Sequence, residues 1–385
     1  MPARCGLGYR AGRLFRARTV SIVRRFKPLP NWVSPGSRAT APRLTTKAAR
    51  RRFRSIRRSR SRRVLTGDSL TAARSFALKG KPDRQTLLEV QEYFGLPSAA
   101  LVEKDWFVVQ ALAAIHDVEV DGLTLAFGGG TALGRAYRLL ERMSEDIDLR
   151  IIGEKSTSRS VLKRLRSEVN DRLAAAGFAV DGHYEVKQND KYVRYDLPYE
   201  PIARGEGVLR PEIKIELSSF PVAAAPETRS VSSFVAEARK ERPEAIDVKC
   251  VRLVETAADK FVALARRAGF AFSGLGELDH TLVRHVYDLS RMDGNYDLDA
   301  AVTIALETMK AEAATRAGDY PAYKDDPRGE TLRTYEIMAS HTEFAAGYSK
   351  LLGDLVYGDR PEFKVAFEAT QQFAERLHKA MIPVR

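Results

Sequence analysis

The stretch FGGGTAL at residues 127–133, followed by RMSEDIDL at residues 142–149, decides the fold of this 385-residue chain. The segment LTLAF that leads into the glycines is typical of a strand. We expect a helix from Thr131 to about Glu141 after the turn. Glycines let the backbone approach an anion, and the first N–H groups of a helix are free to bind phosphate. The pattern therefore predicts a strand–turn–helix unit with a phosphate-binding turn.

Two aspartates open the next predicted strand. Asp146 and Asp148 begin a segment, residues 146–152, that alternates as a half-buried strand does. Side chains at positions i and i+2 leave a strand on the same face, so the two carboxylates converge. They repel each other unless a cation joins them. Mg²⁺ suits such a pair because it prefers oxygen ligands and shares its coordination shell with phosphates.

The arrangement differs from two familiar phosphate-binding motifs. No Gly-Lys-Ser/Thr follows the glycines, which excludes a P-loop. Gly-x-Gly-x-x-Gly with an acidic ribose partner is not matched either, which excludes a dinucleotide fingerprint. A glycine turn or an Asp-x-Asp pair is common by itself. Their order on consecutive predicted elements indicates a phosphate and metal site.

Gly-Gly-x-Thr-x-Leu followed by Arg-x-Ser-x-Asp-Ile-Asp resembles the polymerase-β-type nucleotidyltransferase superfamily. More narrowly, it resembles the AbiEii/AbiGii toxin family, which includes the MenT toxins. Three further stretches are similar to motifs of that family: EKDW at residues 103–106, LVETAADKFVAL at 253–264 and RHVYDL at 284–289. The resemblance covers residues 95–295. It implies an α+β fold, in which a small mixed-sheet nucleotidyltransferase domain is followed by a helical C-terminal domain.

The resemblance also implies which residues bind the nucleotide. It assigns the triphosphate to Gly128, Gly129 and Thr131, with a hydroxyl from Ser144. Lys260 would neutralise the triphosphate. The preceding residue is an aspartate where the family has a glutamate, a mild change that leaves the role of the lysine intact. The ordinary alternative is that this lysine lies on the exposed face of an amphipathic helix.

The resemblance further implies a catalytic and metal-binding group. Asp146 and Asp148 would bind Mg²⁺. A third carboxylate is expected on a later strand, and Glu216 is best placed to hold a second metal or to draw a proton from the attacking hydroxyl. Asp288 would lie beside Lys260. The plainer alternatives place Glu216 on the solvated face of its strand and pair Asp288 with an arginine of its own helix.

Other charged residues near these motifs have ordinary explanations. Arg135, Arg138 and Arg142 could form a basic rim for an acidic partner, but the exposed face of a helix explains them equally well. We expect His280 and His285 to be structural rather than catalytic. None of these five residues is therefore assigned to the chemistry.

The composition predicts three parts. Residues 1–67 are expected to be a basic, disordered tail, residues 80–225 the nucleotidyltransferase domain and residues 226–385 the helical domain. From residue 229 onward the apolar residues recur mainly at helical spacing, and residues 229–240 are expected to form the first helix of that part.

The formal net charge of +13 comes from the tail. Residues 1–63 contain 20 Lys and Arg and no Asp or Glu, so the remaining residues contain 43 basic and 50 acidic side chains. The run AARRRFRSIRRSRSRR at residues 48–63 has three interpretations. It is an arm for RNA or DNA, a targeting peptide, or upstream sequence that does not belong to the native protein.

Composition excludes several classes of protein. With only two cysteines, Cys5 and Cys250, the chain cannot hold a disulfide framework or a cysteine-rich zinc site. No run of about 18 apolar residues predicts a membrane span, so we expect no membrane partner. The few cysteines and the lack of a recognisable secretion signal favour the bacterial cytoplasm.

These observations and the resemblance together favour an enzyme that moves a nucleoside monophosphate from an NTP to a hydroxyl. By resemblance it is the toxin of a type IV toxin–antitoxin or abortive-infection system, with a tRNA 3′ end as acceptor and a separate antitoxin as partner. A drug-modifying or protein-modifying nucleotidyltransferase would use the same metal site. A further alternative is a non-enzymatic RNA-binding protein that relies on the arginine-rich tail.

Overall fold

The computed structural model describes residues 80–153, 158–203, 209–315 and 319–380, which belong to one compact unit. The basic tail expected at residues 1–67 lies outside the described residues. Among the described residues, strands are interspersed with helices as far as Cys250, and only helices follow. The described chain is therefore a mixed α and β structure with its sheet in the N-terminal part, as the sequence predicts.

The strands of the described ranges form one mixed sheet. Their bounds are β1 Glu119–Val120, β2 Leu123–Gly128, β3 Asp146–Ile152, β4 Tyr184–Lys187, β5 Tyr192–Pro198, β6 Glu212–Ser218, β7 Glu227–Val231 and β8 Ala245–Cys250. The order across the sheet is β4–β5–β6–β3–β2–β8–β7, and β1 pairs with β2. The pairs β3/β6 and β2/β8 are parallel, and the other neighbours are antiparallel.

The register of three central strands fixes where the acidic residues lie. Asp148 on β3 lies opposite Gly128 on β2 and opposite Glu216 on β6. Alternate residues of β3 and β6, such as Ile147 and Ile215, point into the hydrophobic core and are fully buried. Because side chains of a strand alternate between its two faces, the carboxylates lie together on the face opposite the core.

Helices account for the rest of the described chain. Their bounds are α1 Arg84–Phe94, α2 Ala99–Ile115, α3 Gly129–Arg135, α4 Arg159–Ala175, α5 Phe234–Arg239, α6 Leu253–Phe272, a 3₁₀ turn His280–Leu282, α7 Val283–Met292, α8 Leu298–Thr315, α9 Pro321–Asp325, α10 Pro327–Met338, α11 Thr342–Asp354 and α12 Phe363–Lys379. Helices α1, α2 and α4 pack with the sheet in one core, and α6 to α12 build a second core. No helix in the described ranges has the length and apolarity that a bilayer span requires.

Helix α2 carries three consecutive charged residues that are almost completely buried, Glu103, Lys104 and Asp105. Each is satisfied by a separate part of the chain. Glu103 accepts from the N–H groups of Ile202 and Ala203. Lys104 donates to the carbonyl of Arg210 and pairs with the carboxylate of Glu145. Asp105 accepts from the N–H of Phe234 and pairs with the guanidinium of Arg135. Helix α2 therefore anchors the segments that enter β3 and β6, the two strands that bear the carboxylates.

Two expectations about secondary structure were wrong in detail, and one strand was not anticipated. The helix expected at residues 229–240 is replaced by the end of β7 and the short helix α5. Strand β8 pairs with β2 through Phe127 and Cys250, a contact far apart in sequence that no local pattern indicates. Helix α3 ends at Arg135 rather than near Glu141. The last strand of the described ranges ends at Cys250, beyond residue 226, and the predicted division into two domains stays a prediction.

Candidate active site

One cavity collects most of the residues that the sequence singled out. It has a volume of about 350 Å³ and lies between the exposed face of the sheet and helices α6 and α7. Its lining includes Gly128, Gly129, Gly130, Arg142, Ser144, Asp146, Asp148, Arg150, Tyr192, Glu216, Ser218, Phe220, Asp259, Lys260, Arg284 and His285. This size is within the range of small-ligand sites.

Three carboxylates, Asp146, Asp148 and Glu216, form what we call the acidic wall of the cavity. Burial raises the pKa of Asp148 to about 6, and the negative charges of Asp146 and Glu216 add to this effect. Lys214, two residues before Glu216 on the same face of β6, forms an ion pair with it. Among the described residues no three His, Cys, Asp or Glu side chains are grouped tightly enough, as they stand, to hold a metal ion.

Gly129 makes the close approach of the acidic wall possible. Its φ of +70° is a conformation that favours glycine. A Cβ atom at this position would lie 1.8 Å from Oδ2 of Asp148, far inside van der Waals contact. At Gly130 a Cβ atom would lie 2.7 Å from the hydroxyl oxygen of Ser144. The glycines therefore leave space for the side chains of β3 and of the segment before it.

The two predicted hydroxyl groups occupy different positions. Ser144 lines the cavity, and its expected contact with the nucleotide stays a prediction. Thr131 is buried, and its hydroxyl donates to the carbonyl oxygen of Asp146 at 2.5 Å and lies 3.0 Å from the hydroxyl oxygen of Ser144. The Thr131 hydroxyl thus contacts the start of β3 and Ser144 rather than the cavity. Thr131 is not in the lining of this cavity, and its expected contact with a nucleotide stays a prediction.

Arg142, Lys260 and Asp288 form what we call the paired triad, on the helical side of the cavity. Asp288 is fully buried and accepts from Arg142 Nε at 2.6 Å, Arg142 Nη2 at 2.7 Å and Lys260 Nζ at 2.7 Å. Burial alone would raise the pKa of Asp288. The adjacent Arg142 and Lys260 charges outweigh it and hold this pKa well below its usual range. Asp288 itself lies behind Lys260, outside the cavity lining.

The arginines predicted from sequence divide into two groups. Arg135 and Arg142 are buried in ion pairs with Asp105 and Asp288, so they form no basic rim. Arg138 is largely exposed and lies near Glu237. The partner of Asp288 is thus not an arginine of its own helix, and the triad joins residues 146 positions apart in the chain.

Several residues of the cavity were not predicted from sequence. Arg150 follows Asp148 by two positions on β3. The alternation of side chains along a strand, which places the two aspartates on one face, therefore predicts Arg150 on that face as well. No local sequence signal indicates Tyr192 or Phe220. His285, expected to be structural, lies in the cavity wall beside Lys260. Its Nδ1 atom is buried and has no hydrogen-bond partner among the described residues. Burial and the Lys260 charge hold its pKa well below the usual value.

Comparisons with known proteins give the family and the fold of the chain. Residues 110–375 match the family described as nucleotidyl transferase AbiEii toxin, type IV toxin–antitoxin system. Among solved structures, the chain is similar to MenT4, a nucleotidyltransferase toxin from Mycobacterium tuberculosis H37Rv. The TM-score is 0.52 at 15% sequence identity, and the alignment covers 77% of this chain and 90% of that one, which supports the likeness of fold. No curated protein sequence matches the chain.

Proposed function

The chain belongs to the AbiEii nucleotidyltransferase toxin family of type IV toxin–antitoxin systems, and on this basis we propose that it transfers a nucleoside monophosphate from an NTP to the 3′ end of a tRNA. The reaction would depend on Mg²⁺, release pyrophosphate and take place in the cytoplasm. The family also implies a cognate antitoxin as partner. The observation that carries the proposal is one cavity whose lining combines the acidic wall with Lys260, Gly129 and Ser144.

The acidic wall has the ligand chemistry of a divalent-cation site, although its carboxylates are not grouped tightly enough as they stand to hold the ion. Its oxygen ligands are the type that Mg²⁺ prefers. Burial raises the pKa of Asp148, and the negative charges of Asp146 and Glu216 add to the effect, so a bound cation would stabilise the charged form of this carboxylate. Asp146, Asp148 and Glu216 are the residues that would hold the ion. When bound, Mg²⁺ would neutralise charge on the phosphates and orient the reacting oxygens.

Positively charged side chains of the protein would compensate the negative charge of the triphosphate together with the cation. Lys260 lines the cavity and its ammonium is fixed by Asp288, so it presents a positive charge at a defined position. Arg284, also in the lining, adds a further positive charge. Fixed positive charges lower the barrier to phosphoryl chemistry because they need no reorganisation as negative charge shifts to the leaving pyrophosphate. We assign Asp288 to positioning Lys260, since it does not reach the cavity.

A hydroxyl acceptor must lose its proton during transfer. Glu216 is the carboxylate of the acidic wall that lies on a separate strand from the Asp146–Asp148 pair. We propose that it accepts this proton or helps to hold the metal that activates the hydroxyl. In the described structure Glu216 forms an ion pair with Lys214, so this role requires the carboxylate to exchange that partner for the incoming ligand.

The experiment that tests the proposal is a nucleotide-transfer assay. The full chain is incubated with Mg²⁺, each α-³²P-labelled NTP in turn and bulk tRNA, and the products are separated on a gel. Asp146→Ala is assayed in parallel, and Asp196→Asn serves as a control because Asp196 pairs with Arg194 on β5 outside the cavity. Label on tRNA that disappears in Asp146→Ala and persists in Asp196→Asn is the expected result.

Other outcomes would change the acceptor or reject the enzyme. Label on the protein itself moves the acceptor to a side chain. Transfer to a small hydroxylated or cationic compound, with none to tRNA, favours the drug-modifying alternative. A folded protein that labels nothing contradicts the proposal. Removing residues 1–63 separates the remaining alternative, because an RNA-binding protein that relies on the tail would lose its RNA affinity, whereas the enzyme keeps its Mg²⁺-dependent turnover.

A further inference from the structure

We propose that Phe220, with the Arg150 guanidinium against its ring, forms a stacking site for a nucleobase at the edge of the active-site cavity. The inference rests on the proposed function, because it supposes that nucleotides occupy the cavity. It goes beyond that function by assigning a base-binding position that phosphate and metal chemistry do not require.

The exposure of Phe220 needs an explanation. Its side chain is 56% exposed, the largest fraction among the large hydrophobic side chains found exposed in the described ranges. The others, such as Val365 at 55% and Ile246 at 51%, lie outside the cavity lining. A ring left in water forgoes the stabilisation of burial. An exposed aromatic ring beside phosphate-binding groups is the usual platform for a base.

The loop that carries Phe220 is held on both sides. The Ser219 N–H donates to the Lys191 carbonyl at 2.9 Å. The N–H groups of Ala223 and Ala224 donate to the buried carboxylate of Glu255 on α6 at 3.1–3.2 Å. A ring on a loop with these anchors is held in place before a ligand arrives, which reduces the entropy lost on binding.

Arg150 makes the site suitable for a base rather than for an aliphatic group. Its guanidinium carbon lies 5.5 Å from the centre of the Phe220 ring, and its Nη2 donates to Asp259 at 2.8 Å. Guanidinium groups stack on aromatic faces and on bases. The ion pair with Asp259 fixes the orientation of the guanidinium, so the ring and the charged plane together form a small, defined surface.

The position of this surface matches a nucleotide held at the acidic wall. Arg150 follows Asp148 by two residues on β3 and lies opposite Ser218 on β6. Ser218 in turn follows Glu216 on the same face and precedes the Phe220 loop by two residues. The stacking site thus continues the acidic wall toward the ends of β3 and β6, where a base attached to the bound phosphates would extend.

The base has two possible sources, the NTP or the terminal nucleotide of the acceptor, and the experiment separates them. Binding of a non-hydrolysable NTP analogue and of inorganic tripolyphosphate is measured with Mg²⁺ for wild type, Phe220→Ala and Phe220→Trp. The KM for bulk tRNA is measured in the transfer assay. Val365→Ala is the control, because Val365 is equally exposed on α12 and lies outside the cavity.

If the base belongs to the NTP, Phe220→Ala weakens analogue binding roughly 5- to 150-fold and leaves tripolyphosphate binding unchanged. If it belongs to the acceptor, the same variant raises the KM for tRNA by a similar factor without changing analogue binding. In either case Phe220→Trp keeps the wild-type affinity for the analogue and the wild-type KM for tRNA, because tryptophan retains an aromatic face. Val365→Ala behaves as wild type.

Two results overturn the inference. One is that Phe220→Ala changes neither analogue binding nor the KM for tRNA. The other is that it weakens tripolyphosphate as much as the analogue, which means that the ring supports the phosphate site rather than a base. Failure of the proposed function looks different, because wild type itself then neither binds the analogue nor transfers label.

Discussion

The two sides of the cavity solve the problem of buried charge in opposite ways. The acidic wall brings Asp146, Asp148 and Glu216 together on one face of the sheet, where burial, with the neighbouring negative charges adding to it, raises the pKa of Asp148 to about 6. On the helical side the single carboxylate of Asp288 is bound by two cations, and its pKa falls well below the usual range. The fold itself neutralises the Asp288 carboxylate and leaves the paired triad with a net positive charge. The acidic wall is left for a ligand to neutralise, which is typical of a functional site.

The largest effect is expected at the acidic wall. Asp148→Asn removes one of the oxygen charges that would hold Mg²⁺, so we expect transfer activity to fall by about 10³-fold or more. The same change relieves repulsion from Asp146 and Glu216, so thermal stability measured without metal should stay equal or rise. The measurements are initial transfer rates and thermal unfolding in EDTA.

Asp196→Asn is the matched control for this comparison. Asp196 also lies on the sheet, but it pairs with Arg194 of its own strand and lies outside the cavity lining. We expect its activity to stay near that of wild type. A clear loss of stability in Asp148→Asn would contradict the view that the acidic wall carries uncompensated charge.

A second substitution, at a glycine that contacts the acidic wall, tests the position of the Asp148 carboxylate. Gly129→Ala places a Cβ atom against Asp148 and must displace that carboxylate. Because a shift of about 1 Å can cost about 10²-fold in rate, we expect a loss of that order. Gly95→Ala is the control, since Gly95 has a similar φ of +66° and nothing within 4 Å of its Cβ position.

The two glycine variants share the cost of a left-handed alanine, roughly 1–2 kcal/mol. Only Gly129→Ala should lose activity. Stability is measured by chemical denaturation and activity by initial transfer rate. Equal activity of both variants would show that the close contact between Gly129 and Asp148 has no role in the reaction.

Much of the sheet side could be predicted from sequence because its signals are local. The alternation over residues 146–152 places Asp146 and Asp148 on one face without knowledge of the rest of the chain. Glu216 was found only because the resemblance implied a third carboxylate on a later strand. The register now shows it directly opposite Asp148. The catalytic roles of all three residues remain predictions.

The helical side was less predictable because its contacts are long-range. The resemblance implied that Lys260 and Asp288 would lie side by side, and the structure places them 2.7 Å apart. The second cation, Arg142, lies in the segment before β3. Nothing in the sequence around it indicates that its side chain is buried. The strand β8 was missed for the same reason, since residues 245–250 are specified by pairing with β2.

The paired triad should respond to substitution in stability first. Asp288→Asn leaves Arg142 and Lys260 buried without their anion, so we expect a loss of about 3–5 kcal/mol in the free energy of unfolding. Asp279→Asn is the control, since Asp279 forms an exposed pair with Arg267 and should cost no more than about 1 kcal/mol. Chemical denaturation measures both. If the Asp288 variant is as stable as the Asp279 variant, the triad does not stabilise the fold.

The smallest effect is a pH dependence of the difference in unfolding free energy between wild type and Asp288→Asn. Asp288 has a lower pKa in the folded state than in the unfolded chain, where an aspartate titrates near about 3.9. Its contribution to stability is therefore complete above that pH and is lost as the pH falls below it, because the unfolded state takes up the proton first. Asn cannot titrate, so the gap in unfolding free energy between wild type and Asp288→Asn should be constant from pH 6 to about 5 and narrow below about 4. Denaturation curves for both proteins across this range measure the gap. A gap that stays constant on acidification would mean that Asp288 is not held in its charged form by Arg142 and Lys260, and the contrast between the two sides of the cavity would then lose its electrostatic basis.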